Sequence, residues 1–268
     1  MKKLLLQTST VLSILTTITG CVKDGATGPA GATGPTGPLS KGNLAGTVQS
    51  FDQYGSRLFG ITNAGGITVT LEGTGQSTTT DADGKYQFDS LSTGVYNLSF
   101  SKTGYGDNKI EGVQFLGGGT IYARNSMMSQ IPVFTIANIA AVDTVIQGQD
   151  FVKIRGNLSD PDTRTRTLLA FLGTTSGVSS NPANYVNTVA ITARVTMQNP
   201  NGTIFSQFIP AYELYNAGFT SGSTLYVAAY PAANNYNQSS SYQDFSNGGR
   251  SVYNAIGATA STANVIIP

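Results

Sequence analysis

The chain has 268 residues, of which only 11% are charged, and its 15 Lys and Arg against 14 Asp and Glu give a formal net charge of +1. That balance provides neither the basic face that nucleic acid requires nor a polybasic patch for an anionic membrane surface, so we expect no nucleic-acid partner. The 32 Gly and 13 Tyr, with many Ser, Thr and Asn, are typical of short β-strands joined by turns and argue against a helical bundle, which predicts an all-β protein.

The first twenty residues have the pattern of an export signal. Two lysines precede a mostly apolar stretch, residues 4–18, that is too short and too rich in hydroxyl groups to span a bilayer. The run Ile18-Thr19-Gly20-Cys21 resembles the lipobox of bacterial lipoproteins, in which an aliphatic residue and two small residues precede the modified cysteine. The resemblance implies cleavage of residues 1–20 and lipidation of Cys21, whereas the alternative is a plain secretory peptide with an incidental cysteine.

Lipidation would make the membrane a partner of this chain through Cys21. Each buried methylene of an acyl chain such as palmitate contributes roughly 0.8 kcal/mol, so two or three chains hold a protein stably. Cys21 is also the only cysteine, which leaves no thiol for an intramolecular disulfide or for nucleophilic catalysis. We expect an outer-membrane lipoprotein that faces the periplasm or the cell surface, and the sequence does not indicate its oligomeric state.

Residues 21–42 are predicted to carry the lipid and a stalk. Glycine occupies every third position of five triplets from Gly25 to Gly37, a pattern that resembles collagen, in which glycine fits the axis of three polyproline-II chains. Five triplets are few for a stable triple helix. A semi-rigid spacer of ~3 Å per residue is therefore favoured over a trimerising segment.

Residues 43–128 are predicted to form one small β-sandwich. Ile67–Leu71 and Tyr96–Phe100 alternate apolar and polar residues, as half-buried strands do, and Asp83-Gly84 marks a turn before another strand. These residues resemble the carboxypeptidase regulatory-like domain, a prealbumin-like sandwich. The elements that carry the resemblance are Gly46-Thr47-Val48, Thr80–Phe88, the spacing of Leu91, Gly94 and Tyr96 after Phe88, and Gly104-Tyr105. The resemblance implies a non-catalytic module of a carbohydrate-binding-like fold, a similarity of shape that does not by itself indicate a sugar site.

Residues 133–268 are predicted to form a second β-sandwich. The candidate strands are Val133–Val142, Phe151–Leu158, Thr167–Gly173, Ile191–Gln198, Ile204–Ile209, Leu225–Tyr230, Val252–Ala255 and Ala263–Ile267. Residues 210–218 are predicted to form a short helical turn between two of them. The run from Phe219 to Ala229 resembles the E–F corner of fibronectin type III domains, with Tyr226 as the corner tyrosine, which implies an immunoglobulin-like sandwich.

The composition also argues against an enzyme. The chain contains no histidine, which removes the commonest general base, the usual catalytic triads and nearly all catalytic zinc sites. Ser99–Lys102 and Lys102–Gly104 match two short motifs of serine penicillin-binding enzymes, but they overlap at Lys102 inside a strand pattern, where that family separates them. We predict no catalytic residue and no cofactor.

Two further segments have residues that could bind a ligand. Asp81 and Asp83 resemble the start of a calcium loop, but the position that would supply its bidentate Glu is Ser92, so a β-turn is favoured and no metal is predicted. The segment from Tyr230 to Tyr253 mixes aromatic rings with amides, which suits a ligand surface as well as a bland Asn-rich loop. Its candidate ligand-binding residues are Tyr230, Tyr236, Tyr242 and Phe245.

The sequence thus predicts a non-enzymatic envelope lipoprotein that serves in adhesion or as an accessory binding module. Its partner would be a glycan or an envelope protein. Two alternatives stay open: a structural subunit of an envelope complex whose strand edges pair with other proteins, and a carbohydrate-binding accessory of polysaccharide uptake.

Overall fold

The computed structural model describes residues 40–234, 241–245, 249–258 and 260–268. Strands dominate this part of the chain and only one short helix interrupts them, so the all-β prediction is confirmed. Residues 39–268 form one compact unit. No helix among the described residues is long and apolar enough to cross a membrane. Cys21 and the triplet stalk lie outside the described residues and stay predictions.

Nine strands precede residue 130. They are β1 (Gly42–Phe51), β2 (Arg57–Leu58), β3 (Thr68–Leu71), β4 (Gln76–Thr79), β5 (Lys85–Leu91), β6 (Gly94–Ser101), β7 (Asn108–Phe115), β8 (Gly119–Tyr122) and β9 (Ser126–Ser129). We call this part of the chain, residues 40–131, the amino-terminal module. Gly84 has a φ of 80°, so the predicted turn before β5 is present, with a residue that tolerates this conformation.

The amino-terminal module consists of two sheets. In the first, β1 is central: it pairs antiparallel with β2 and β5 and parallel with β8 and β9. The second sheet has the order β4-β3-β6-β7. Alternate residues of both sheets point into one core because successive side chains of a strand lie on opposite faces. That core includes Leu44, Val69, Phe88, Leu98 and Phe100, all buried.

Nine further strands and the helix follow. They are β10 (Ile136–Ile146), β11 (Gln149–Leu158), β12 (Arg166–Gly173), β13 (Asn187–Ala193), β14 (Ile204–Pro210), α1 (Ala211–Asn216), β15 (Thr224–Ala232), β16 (Ser241–Asp244), β17 (Arg250–Tyr253) and β18 (Ser261–Ile266). We call residues 133–268 the carboxy-terminal module. Helix α1 lies where the helical turn was predicted.

A three-stranded sheet, β10-β11-β14, and a four-stranded sheet, β13-β12-β15-β18, enclose the core of the carboxy-terminal module. Strand β12 is buried along its whole length because its two faces contact different clusters. Leu168 and Leu172 face the inner core, whereas Leu169 and Phe171 face a second cluster on the outside of the four-stranded sheet. This outer cluster is completed by the partly buried rings of Tyr185, Tyr226, Tyr230 and Tyr253.

Three features of the carboxy-terminal module differ from the sequence predictions. The strand expected over Ile191–Gln198 ends at Ala193, because the chain turns between Thr196 and Asn199 and leaves Met197 92% exposed. Strand β16 was not predicted. Tyr226 lies on the outer face of β15 while Leu225 faces the inner core, so the position of Tyr226 does not support a role as corner tyrosine.

Arg166 has an unusual environment for a charged residue. It is 1% exposed, and its guanidinium donates to the carbonyl oxygens of Asp160 and of Gly202, the latter at 2.7 Å. Its charge lies 5.7 Å from the centre of the Phe134 ring. Because buried charges need such compensation, Arg166 fixes the turn at residues 160–164 to the rest of the module.

Candidate functional site

A cleft of about 490 Å³ lies between the two modules. One wall is formed by β7, β9 and the residues before β9, and the other by the antiparallel hairpin β16–β17, which we call the hairpin. Most of the residues that line it are of polar or charged type, although their apolar atoms supply about half of its surface. The lining residues are Asn108, Lys109, Ile110, Glu111, Arg124, Asn125, Ser126, Met127, Ser241, Tyr242, Gln243, Phe245 and Ser251.

The wall of the cleft on the amino-terminal module is tied together by an amide. The Nδ2 group of Asn108 donates to Oγ of Ser126 at 3.1 Å and to the carbonyl oxygen of Met127 at 2.8 Å. These bonds join β7 of one sheet to β9 of the other. The wall is therefore a fixed surface, which favours precise recognition.

The charged groups on this wall differ in their partners. Nζ of Lys109 lies 2.8 Å from Oε1 of Glu72, and this hydrogen bond raises the pKa of the Lys109 ammonium. Arg124 is exposed and forms no ion pair with any described residue. The guanidinium of Arg124, with five donors and no acceptor, is thus available to a ligand with carbonyl, hydroxyl or anionic oxygens.

The hairpin contributes two aromatic rings. Tyr242 is half-buried, and its burial raises the pKa of the phenol although the nearby Lys109 charge opposes that shift. The hydroxyl group therefore stays protonated near neutral pH and can both donate and accept a hydrogen bond. Phe245 is 66% exposed, so its ring presents an apolar face to solvent at the rim of the cleft.

The structure does not bring the four residues predicted to bind a ligand together at one site. Tyr242 and Phe245 line the cleft. Tyr230 lies on β15, perpendicular to the Phe171 ring at 5.5 Å between centroids, and accepts a long bond of 3.5 Å from the Ser180 amide. Its ring therefore packs in the outer cluster instead of reaching the cleft. Tyr236 lies outside the described residues.

The segment from Tyr230 to Tyr253 also differs from the single long loop that was expected. It contains the hairpin, whose β17 strand is fixed to its own module by Tyr185 Oη donating to the Ser251 carbonyl at 2.8 Å and by a 3.2 Å contact between the Tyr253 and Thr188 hydroxyls. Sequence reasoning missed the opposite wall altogether. Asn108 and Arg124 are more than a hundred residues away along the chain, and no local pattern marks them as neighbours of Tyr242.

The modules are also joined at the turn that follows β1. The Tyr54 hydroxyl donates to Oδ2 of Asp162 at 2.8 Å, and the Arg164 guanidinium lies 3.6 Å above the Tyr54 ring while donating to the same carboxylate at 2.8 Å. Arg164 holds the pKa of Asp162 well below its usual range, mainly through these hydrogen bonds. We call Tyr54, Asp162 and Arg164 the clamp.

The segments that resemble a catalytic motif or a calcium loop have structural roles. The Lys102 ammonium donates to the carbonyl oxygens of Thr62, Asn63 and Gly65 at 2.7 to 2.9 Å, which closes the loop before β3. Oδ1 of Asp81 accepts the amide protons of Asp83 and Lys85, as in an Asx turn. Among the described residues, no three His, Cys, Asp or Glu side chains come together as metal ligands.

Comparison with solved structures gave only distant likenesses. A cohesin–dockerin complex from Acetivibrio cellulolyticus matches over 32% of this chain and 56% of that chain, at 18% identity and a TM-score of 0.28. A Bacteroides uniformis protein proposed to bind carbohydrate matches over 84% of this chain and 100% of that chain, at 12% identity and a TM-score of 0.29. The major pilin subunit of Bacillus cereus matches over 85% and 70%, at 14% identity and a TM-score of 0.28. TM-scores this low support no conclusion about function.

Curated proteins and family models complete the comparison. No curated protein matches this chain. One family model does, and it covers β3 to the start of β9, which lies within the residues 43–128 where the sequence resemblance was found but leaves out β1. Residues 62–126 match the carboxypeptidase regulatory-like domain, so this part of the amino-terminal module is similar to that family.

Proposed function

We propose that this chain is a non-catalytic binding protein of the bacterial cell envelope that holds its ligand, a glycan or an envelope protein, in the cleft between its two modules. The observation that carries the proposal is the convergence in the cleft of an exposed ring, Phe245, a protonated phenol, Tyr242, and an exposed guanidinium, Arg124. Rings supply apolar contact at a low entropic cost, and polar groups at fixed positions select the ligand.

The envelope location is part of the same proposal. The lipobox ending in Cys21 supports lipidation at the outer membrane, and the glycine triplets support a spacer between the lipid and the modules. The arrangement of three strands against four supports an immunoglobulin-like carboxy-terminal module. Radiolabelled palmitate should be incorporated by cells that express the full chain and lost in the Cys21→Ser variant. Equal labelling of both would contradict the anchor.

The binding role is tested with residues 39–268, which form a compact unit. This fragment is applied to a glycan array and to detergent-solubilised envelope, and captured ligands are compared with those of the double variant Tyr242→Ala/Phe245→Ala. We expect capture to fall at least tenfold, because both rings of one wall are removed. Tyr212→Ala is the matched control, since Tyr212 is 52% exposed on α1 and does not line the cleft. Equal capture by the double variant and the fragment would contradict the cleft as the site.

A specific observation also favours the second candidate, an assembly subunit. Strand β8 pairs only with β1 among the described strands, and the run Gly117–Tyr122 contains no charge or proline, the usual protection of a free edge. Leu116, just before this run, and Tyr122, its last residue, are 76% and 77% exposed. A stoichiometric envelope protein that is lost with Thr120→Lys, yet retained by Tyr242→Ala/Phe245→Ala, would favour strand addition at β8 over binding in the cleft.

A further inference from the structure

We infer that two glycines of the amino-terminal module, Gly55 and Gly106, set the separation of the two walls of the cleft. The chain packs closely against them on either side of the hairpin, and we call these two contact points the seats. The inference concerns the same cleft and rests on the proposed function for its ligand. It makes Gly106 and Asn254 positioning residues, since neither lines the cleft.

The hairpin is attached to the amino-terminal module by the chain on both of its sides. Before the hairpin, the Asn234 amide donates to the carbonyl oxygen of Gln53 at 3.0 Å. After the hairpin, Nδ2 of Asn254 donates to the carbonyl oxygen of Asp107. Because the two sides are themselves joined by the bond from the Ala233 amide to the Ala255 carbonyl at 2.9 Å, they approach the other module as one unit.

Each attachment meets a glycine. A Cβ atom on Gly106 would lie 2.5 Å from the carbonyl carbon and oxygen of Asn254, and one on Gly55 would lie 3.2 Å from the carbonyl oxygen of Asn234. The contact at Gly106 is with backbone, which cannot rotate away as a side chain can. Gly106 also does not have a positive φ. Its lack of a side chain is therefore required by the approach of Asn254, and not by its own conformation.

The distance between the walls follows from these contacts. The wall on the amino-terminal module begins at Asn108, two residues after Gly106, and the hairpin ends at Tyr253, one residue before Asn254. Strand β17 is fixed to the carboxy-terminal module by Tyr185 and Tyr253. A side chain at position 106 would thus push the two walls apart where Asn254 approaches Gly106, by at least the difference between 2.5 Å and the 3.4 Å of ordinary contact. By reciprocity, a ligand that contacts both walls stabilises the seats.

The separation is measured without any ligand, by double electron–electron resonance between spin labels on Gln114→Cys of β7 and Gln243→Cys of β16, both exposed. The fragment 39–268 lacks Cys21, so no native thiol is labelled. We expect one narrow distance distribution for the parent, and a longer and broader one for Gly106→Leu. Gly94→Leu is the matched control, since a Cβ there meets only Tyr96 at 3.8 Å, and it should leave the distribution unchanged.

A second variant tests the inference in case Gly106→Leu does not fold. Asn254→Ala removes one bond of the seat and adds no atoms, so it should broaden the distribution even if Gly106→Leu fails to fold. Parent-like distributions in Asn254→Ala and in a folded Gly106→Leu would overturn the inference.

A measurement of ligand affinity separates the inference about the seats from the proposed function of the cleft. With a ligand captured by the parent fragment, Gly106→Leu should weaken its affinity at least tenfold. A shifted distance with unchanged affinity would contradict the coupling to the ligand while leaving the seats in place. A shifted distance in a protein that captures nothing would instead contradict the proposed function alone.

Discussion

Tyr86 combines a polar group with an apolar location. Tyr86 is 4% exposed, and its ring lies edge-on to that of Phe100 with 5.7 Å between the ring centroids. Its hydroxyl has no hydrogen-bond partner among the described residues. It faces Gly46 across the β1–β5 pair, and a Cβ on that glycine would collide with the tyrosine hydroxyl. Burial raises the pKa of Tyr86 to about 12.

This raised pKa predicts a loss of stability at alkaline pH. The folded state keeps the phenol protonated above pH 10.0, where the unfolded chain begins to ionise, so the contribution of Tyr86 is complete below pH 10 and is lost as the pH rises towards 12. A difference of two pKa units corresponds to about 3 kcal/mol. A hydroxyl buried without a partner costs free energy in the folded state. Urea unfolding should therefore show Tyr86→Phe at least as stable as the parent at pH 7, with a relative stability that increases from pH 10 to 12. A constant difference across that range would contradict the assignment.

Among the elements, the turn at the end of β1 and the turn at residues 160–164 depend on one another through the clamp. Tyr54→Phe removes only the hydroxyl that binds Asp162, so we expect the free energy of unfolding to fall by about 1 kcal/mol.

The Asp162 pKa is lower in the folded state than its ordinary 3.8, so its contribution is present above that pH and is lost as the pH falls further. The difference between the parent fragment and Asp162→Asn in urea unfolding should be constant from pH 5 to 8 and shrink below pH 4. A difference as large at pH 2 as at pH 7 would rule out the clamp as its source.

The elements also show what can be predicted from a sequence of this kind. The alternation in Ile67–Leu71 and Tyr96–Phe100 located β3 and β6, because one face of each strand is buried in a single core. The same alternation failed beyond Ala193, since period alone does not tell a strand from a turn stabilised by the Asn199 amide. Composition marked Tyr242 and Phe245, which line the cleft. Only the tertiary fold assigns Tyr230 to the outer cluster and brings Arg124 to the cleft.

At the scale of the whole molecule, the inner cores of the two modules share no residue. Phe100 belongs to the first and Phe205 to the second, and both are at most 1% exposed. Replacing either with Ala should cost about 3 to 5 kcal/mol. If the predicted boundary between residues 128 and 133 separates two folding units, calorimetry of fragment 39–268 should resolve two transitions, of which Phe100→Ala lowers one and Phe205→Ala the other. One shared transition lowered by both variants would mean that the modules unfold together.

The position of β1 has a mechanical consequence. The described chain enters the amino-terminal module just before Gly42, and β1 runs from there to the turn that carries Tyr54, ten residues of strand or ~33 Å. A pull between an anchor before Gly42 and a ligand held near the carboxy-terminal module would act along this strand. Its hydrogen bonds to β5, β8 and β9 lie across that direction, so they would be loaded in shear and would have to break together. The same strand that organises the first sheet is thus suited to transmit tension between the proposed anchor and the proposed ligand.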